Sequence, residues 1–154
     1  MSVNTVNLLK DRGWMLATAE SCTGGLIAGA ITDVAGSSAV FDRGFVTYSN
    51  SAKGQMLGVD MAVIEAHGAV SEEVARAMAV GALTRSDAQV AVSVTGIAGP
   101  GGSEHKPEGR VCFGLATDGQ CHMQTLDFGP LGRAEIRART VAHALTLVAQ
   151  AALK

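Results

Sequence analysis

The sequence predicts a three-layer α/β/α sandwich on a mixed, mostly parallel sheet of about five strands with one antiparallel hairpin. Three observations lead there. Strand-like and helix-like runs follow one another in the order α, β, α, β, α, α, β, β, β, α. Asp118-Gly119, a dipeptide favoured in two-residue hairpins, separates two strand-like runs. Of 154 residues, 47% are apolar and 17% charged, against about 25% charged in an average soluble domain. This balance excludes a disordered chain and predicts one domain, residues 1–154, around a sizeable core.

Residues 3–12 read as a short helix, with Gly13 placed to end it in a left-handed turn. Residues 14–19 form an apolar run of strand length. Residues 26–34 are apolar nearly all round, which predicts a helix buried between layers, and Gly36 ends it. Residues 45–48 suggest a second strand and residues 52–57 a short helical segment. Ser71 is a good N-cap, with Glu72 and Glu73 in the first turn of a helix reaching Thr84. Residues 89–94, rich in β-branched side chains, form a third strand. Residues 111–117 and 121–128 flank the hairpin turn, and residues 132–152 make a long closing helix.

Several classes of function are disfavoured. A net charge of −2 lacks the basic footprint of a nucleic-acid binder, and one Trp, one Tyr and four Phe leave little for base stacking. No apolar run approaches the ~20 residues of a membrane span, and residues 1–12 lack the layout of a signal peptide. Cys22, Cys112 and Cys121 fit neither zinc nor disulfide spacing, and no His/Cys/Asp cluster has ligand spacing; neither a metal nor a cofactor is expected. The expected setting is a reduced, cytoplasmic one, without nucleic-acid or membrane partners. The apolar helix 26–34 and the low charge fraction point to a homo-oligomer.

Glycine is the outlier, at 19 residues, and two of its clusters follow strands. In Glu20-Ser-Cys-Thr-Gly-Gly25, Ser21 stands at the start of a helix, where free N–H groups favour negative charge. Two readings are open: an N-cap with glycines for close packing, or a nucleophile whose oxyanion meets those donors. A nucleophilic serine needs a base, and neither a Gly-x-Ser-x-Gly elbow nor a histidine with triad cues is present. Of four lysines only Lys53 follows a strand end, five residues after Tyr48, the sole tyrosine. It is either a solvated lysine or, if desolvated, a base that Tyr48 could orient or relay through.

The second cluster, Thr95-Gly-Ile-Ala-Gly-Pro-Gly-Gly102, fits a flexible loop or a nest of N–H groups for a phosphate, with residues 103–109 as a mobile lid. It matches neither common nucleotide-binding motif. On the closing helix, Arg133 and Arg137 prolong the apolar face of Val141, Ala144, Leu145, Val148 and Ala152. Such arginines meet either carboxylates in a structural pair or an anionic ligand.

Taken together, Glu20-Ser-Cys-Thr-Gly-Gly25, Tyr48-Ser-Asn-x-x-Lys53 with Leu57-Gly58-Val59, Gly68-Ala-Val-Ser71 and Thr95-Gly-Ile-Ala-Gly-Pro100 resemble the CinA C-terminal domain family over residues 8–147. The chain is similar to that family's standalone form, without the molybdopterin-binding-like domain of longer members. The resemblance implies an amidohydrolase that converts nicotinamide mononucleotide to nicotinic acid mononucleotide and ammonia. Its expected partner is therefore a small-molecule nucleotide substrate. It implies Ser21 as nucleophile, Lys53 and Tyr48 as its polar partners, Thr95 and Gly96 in the substrate pocket, and Arg137 against the substrate. For Glu20 two readings stay open: it offsets the cationic pyridinium, or its side chain faces the core. Thr23 and Gly24 would border the reacting group, while Gly99, Gly101 and Arg137 would hold the phosphate. The rival class is a non-catalytic pyridine-nucleotide-binding or competence-related interaction module. It needs the glycine turns and arginines but not Ser21 together with Lys53, so their co-occurrence favours the enzyme.

Overall fold

The computed structural model describes residues 1–154. In chain order its elements are α1 (Ser2–Arg12), β1 (Leu16–Glu20), α2 (Leu26–Thr32), β2 (Phe41–Val46), α3 (Asn50–Leu57), α4 (Met61–His67), α5 (Glu72–Thr84), β3 (Val90–Gly96), β4 (Arg110–Thr117), β5 (Gln120–Asp127) and α6 (Arg133–Leu153). A 3₁₀ turn at Ser37–Ala39 leads into β2.

One sheet runs β2-β1-β3-β4-β5. β1 lies between β2 and β3 and is parallel to both, whereas β3–β4 and β4–β5 are antiparallel. Four strands therefore point the same way and β4 alone runs against them. The hairpin on Asp118-Gly119 is present, with Gly119 at φ 74°. The antiparallel β3–β4 pairing is an addition to the sequence reading. Its cause is the segment 97–109, which holds no helix to carry the chain back across the sheet.

The two faces of the sheet differ in side-chain size, and this sets the layers. Leu16, Val90, Val92, Val94, Val111 and Phe113 face α1, α2 and α6, meeting Val6, Leu9, Ile27, Ile31, Ile136, Leu145 and Val148. Ala17, Ala19 and Ala91 face α3, α4 and α5, meeting Leu57, Ile64, Val74, Met78 and Ala82. Small residues on that face let α5 lie close to the strands: Ser93 Oγ donates to Ala75 O at 2.6 Å, and a Cβ on Gly114 would fall 2.5 Å from the same oxygen. Gly81 does the same between helices, since a Cβ there would sit 2.1 Å from Leu57 O.

Local signals held where side-chain chemistry was decisive. Gly13 ends α1 at φ 70°, its N–H bonding back to the helix, and Ser71 Oγ caps α5 by accepting from Val74 N at 3.2 Å. Two elements differ. α2 is not enclosed: Ile27 and Ile31 alone are buried, and Leu26 is 45% exposed. It lies in an outer layer, so one stripe faces the sheet and the apolar residues opposite face water. α4, capped by Asp60 accepting from Ala62 N, lies where sequence reading has no element.

Candidate active site

The carboxyl ends of the three parallel strands converge, and each carries one of the singled-out motifs. Ser21 follows β1 and its N–H donates to Val94 O at 3.1 Å, which fixes it to the end of β3. Thr47 and Tyr48 follow β2 and lead into α3, whose N-cap Ser49 accepts from Ala52 N. One turn into α3, the Lys53 side chain runs back beneath the loop.

Lys53 is 1% exposed, and its Nζ lies 3.1 Å from Ser21 Oγ. The same nitrogen donates to Thr47 O at 2.9 Å and Tyr48 O at 3.3 Å, with Ser49 O at 3.5 Å. Burial disfavours the ammonium and holds its pKa below the ordinary 10.5; the charges of Cys22 and Glu104 oppose the shift. A neutral amine has two N–H groups and one lone pair. In that neutral form, with the two nearer carbonyls of Thr47 and Tyr48 taking the N–H groups, the lone pair would face the Ser21 hydroxyl; as an ammonium, Nζ donates to Ser21 Oγ instead.

Beside Ser21, the Cys22 thiol is 6% exposed and burial pushes its pKa up to about 11. It stays a thiol near neutrality, so serine is the available nucleophile of the two. The Cys22 N–H donates to no main-chain acceptor. Arg137 staples the far side of this turn, donating from Nε to Cys22 O at 3.1 Å and from Nη2 to Thr23 O at 3.2 Å.

A cavity of about 370 Å³ opens over the pair. Ser21, Lys53, Tyr48, Thr95, Gly96, Gly99 and Gly101 all border it, whereas Glu20, Thr23, Gly24 and Arg137 do not. Glu20 is 1% exposed and faces inward, accepting from Thr23 Oγ1 at 2.5 Å, Ile27 N at 2.8 Å and Ala28 N at 3.0 Å. It satisfies the opening turn of α2 and is not free for a ligand. Thr23 is consumed by the same bond, and Gly24 backs onto Arg137 Nη2. The cation on the cavity wall is Arg133, one helical turn before Arg137, donating to Gly99 O at 2.6 Å and to Tyr48 Oη at 2.8 Å. The Tyr48 hydroxyl thus serves Arg133, and it is the Tyr48 carbonyl that meets Lys53.

The glycine turn after β3 is tied internally. Gly101 N donates to Glu108 Oε1 at 2.6 Å, and Glu108 Oε2 reaches Gly132 N at 3.4 Å. A carboxylate of the chain itself occupies part of the expected anion nest. Thr95, 1% exposed, donates from Oγ1 to Ala69 O at 2.8 Å. The segment 103–106 is pinned to the loop 67–70. Lys106 Nζ donates to His67 O at 2.8 Å and also to Val70 O, and Glu104 Oε2 accepts from Ala69 N at 3.2 Å. Sequence reading passed over Asn50 and Glu104, which also line the cavity. Asn50 stands within Tyr48-Ser-Asn-x-x-Lys53, but nothing local marks Glu104.

Comparison with known proteins settles the family. The model of the CinA C-terminal domain matches residues 1–152. The chain belongs to the CinA C-terminal domain family. Among CinA relatives, the nicotinamide-nucleotide amidohydrolase PncC of Enterobacter agglomerans is 62% identical over 117 residues, covering 75% of this chain and 71% of that protein. A relative from Symbiobacterium thermophilum is 55% identical over 150 residues, yet the 92% of this chain that aligns spans 35% of its length. The crystal structure of competence/damage inducible protein CihA from Agrobacterium tumefaciens superposes with a TM-score of 0.93 at 49% identity, covering 99% of this chain and 95% of that one. In this CinA domain no helix is long and apolar enough to cross a membrane.

Proposed function

We propose that the chain is an amidohydrolase that cleaves the carboxamide of nicotinamide mononucleotide, giving nicotinic acid mononucleotide and ammonia. The observation that carries this reading is the buried Lys53 amine 3.1 Å from the Ser21 hydroxyl on the floor of a cavity. The amidohydrolase named among its relatives supplies the substrate class.

Ser21 Oγ attacks the amide carbon while its proton passes to the neutral Lys53 Nζ. The carbonyl oxygen becomes an oxyanion at the turn after Ser21, met by the Cys22 N–H, which has no main-chain acceptor. The C–N bond then breaks as Lys53 returns the proton to the departing nitrogen, which leaves as ammonia. A water gives its proton to Lys53 and attacks the acyl ester, and Ser21 leaves with that proton to regenerate the pair. Tyr48 holds Arg133 through its hydroxyl and Lys53 through its carbonyl, linking the reacting end to the phosphate end. Arg133, on the cavity wall, takes the phosphate by exchanging its present neutral acceptors for a charged one.

The test is ammonia release from nicotinamide mononucleotide by wild type and Ser21→Ala, with free nicotinamide as control substrate. Release by wild type alone, and only from the nucleotide, is the expected result. Activity retained above a few per cent in Ser21→Ala removes the serine from the chemistry.

A further inference from the structure

The cavity wall carries three ionisable side chains: Lys53, Arg133 and Glu104. Glu104 is its one carboxylate, because Glu20 is spent on α2 and Glu108 on Gly101 and Gly132. We propose that Glu104 makes the pocket selective for a positively charged ring, so that the cationic substrate binds more tightly than a ligand whose ring is neutral overall. This rests on the pyridine-nucleotide reading above and names what that site discriminates.

Three observations support it. The carboxylate is held in place: Oε2 accepts from Ala69 N, and Ala69 O is in turn held by Thr95 Oγ1 at the end of β3. Its second oxygen, Oε1, has no partner in the chain. The backbone is bent to deliver it, with Glu104 at φ 52° and His105 at φ 63°, two successive non-glycine residues in the left-handed region. The charge is also felt at the reacting pair, where Glu104 favours the ammonium of Lys53 against the effect of burial.

The chemistry of the ligands turns this into selectivity. A pyridine nitrogen bonded to ribose gives the nicotinamide ring a charge of +1. Hydrolysis adds a carboxylate, so the product ring is neutral overall, and the reduced dihydropyridine ring is uncharged. A fixed carboxylate thus favours the substrate over both and eases product departure.

Glu104→Gln removes the charge and keeps an oxygen to accept from Ala69 N. Titration calorimetry on the Ser21→Ala protein, with and without Glu104→Gln, measures dissociation constants for nicotinamide mononucleotide, nicotinic acid mononucleotide and reduced nicotinamide mononucleotide. The expected result is roughly tenfold weaker binding of the first and changes below about threefold for the other two. Equal weakening of all three would mean that Glu104 only braces the loop, and no change in any would mean that it is idle. Either result overturns the proposal, as does a protein that binds none of them. The wild-type ammonia assay reads the activity separately, so its failure is distinct from loss of charge selectivity.

Discussion

Lys53 Nζ lies 3.1 Å from Ser21 Oγ although the two residues are 32 positions apart in the chain. The amine must be neutral to accept the serine proton, and burial lowers its pKa from 10.5. Catalytic rate therefore rises with pH through the lowered folded-state pKa and levels off above it. The same shift makes stability rise over the window between that pKa and 10.5, where the unfolded chain binds the extra proton. Lys53→Met, which keeps the length of the buried side chain but has no lone pair to accept a proton, should be inactive across the whole pH range while circular dichroism stays that of wild type. A pH–rate profile unchanged by that substitution would remove Lys53 as the base.

Glu20 is predicted to be a residue of stability. Glu20→Ala leaves Ile27 N, Ala28 N and Thr23 Oγ1 without their acceptor inside the protein. Urea denaturation should register a loss of about 3 kcal/mol. Full stability with lost substrate affinity would place Glu20 in the binding site instead.

The two arginines of α6 should separate kinetically. Arg133 borders the cavity, so Arg133→Ala should raise KM about tenfold or more and change kcat little. Arg137 holds the carbonyls of Cys22 and Thr23, so Arg137→Ala should act on kcat through the turn that follows Ser21. Steady-state kinetics on both variants decides the assignment, and the reverse pattern would restore Arg137 as the ligand-facing residue.

Cys22 should be inert despite its place on the cavity wall. With its pKa near 11 and the thiol buried, alkylation by iodoacetamide at pH 7.5 should be slow in the native protein and fast in urea. Mass spectrometry of the labelled peptide reads this directly. Rapid native labelling at Cys22 would mean an accessible thiolate there.

Gly81 sets the distance between α5 and the end of α3. Gly81→Ala should destabilise by about 2 kcal/mol, the overpacking against Leu57 O exceeding the helix-propensity gain of up to about 1 kcal/mol. Thermal denaturation checks it, and an unchanged or raised Tm would mean that the helices separate freely.

Much of the fold was legible because its signals are local. Gly13, Ser71 and Asp118-Gly119 act on their own backbone, and the strands that Ser21 follows and Thr95 ends are dense in apolar residues. α4 escaped notice because Ile64 is its one buried residue, which gives no periodicity to read. β2 begins at Phe41, earlier than expected, because an edge strand with exposed Arg43 and Gly44 lacks a continuous apolar run. In the site, the serine and lysine were legible from their places after strand ends. The partners were not. Steps of four residues put Arg133 and Arg137 on one face of α6 without saying which meets the cavity, and Glu104 gains its position from Ala69, 35 residues away.

The acceptors that hold Lys53 Nζ on the side away from Ser21 are main-chain oxygens of Thr47, Tyr48 and Ser49. The aim of the amine is thus encoded in the path of the chain and not in the identity of the residues along it. Side chains at these positions can be exchanged without removing an acceptor, so long as the loop keeps its course. Length is the intolerant variable. One residue inserted between Thr47 and Lys53 would move the lysine about 100° around α3 and point it away from the serine.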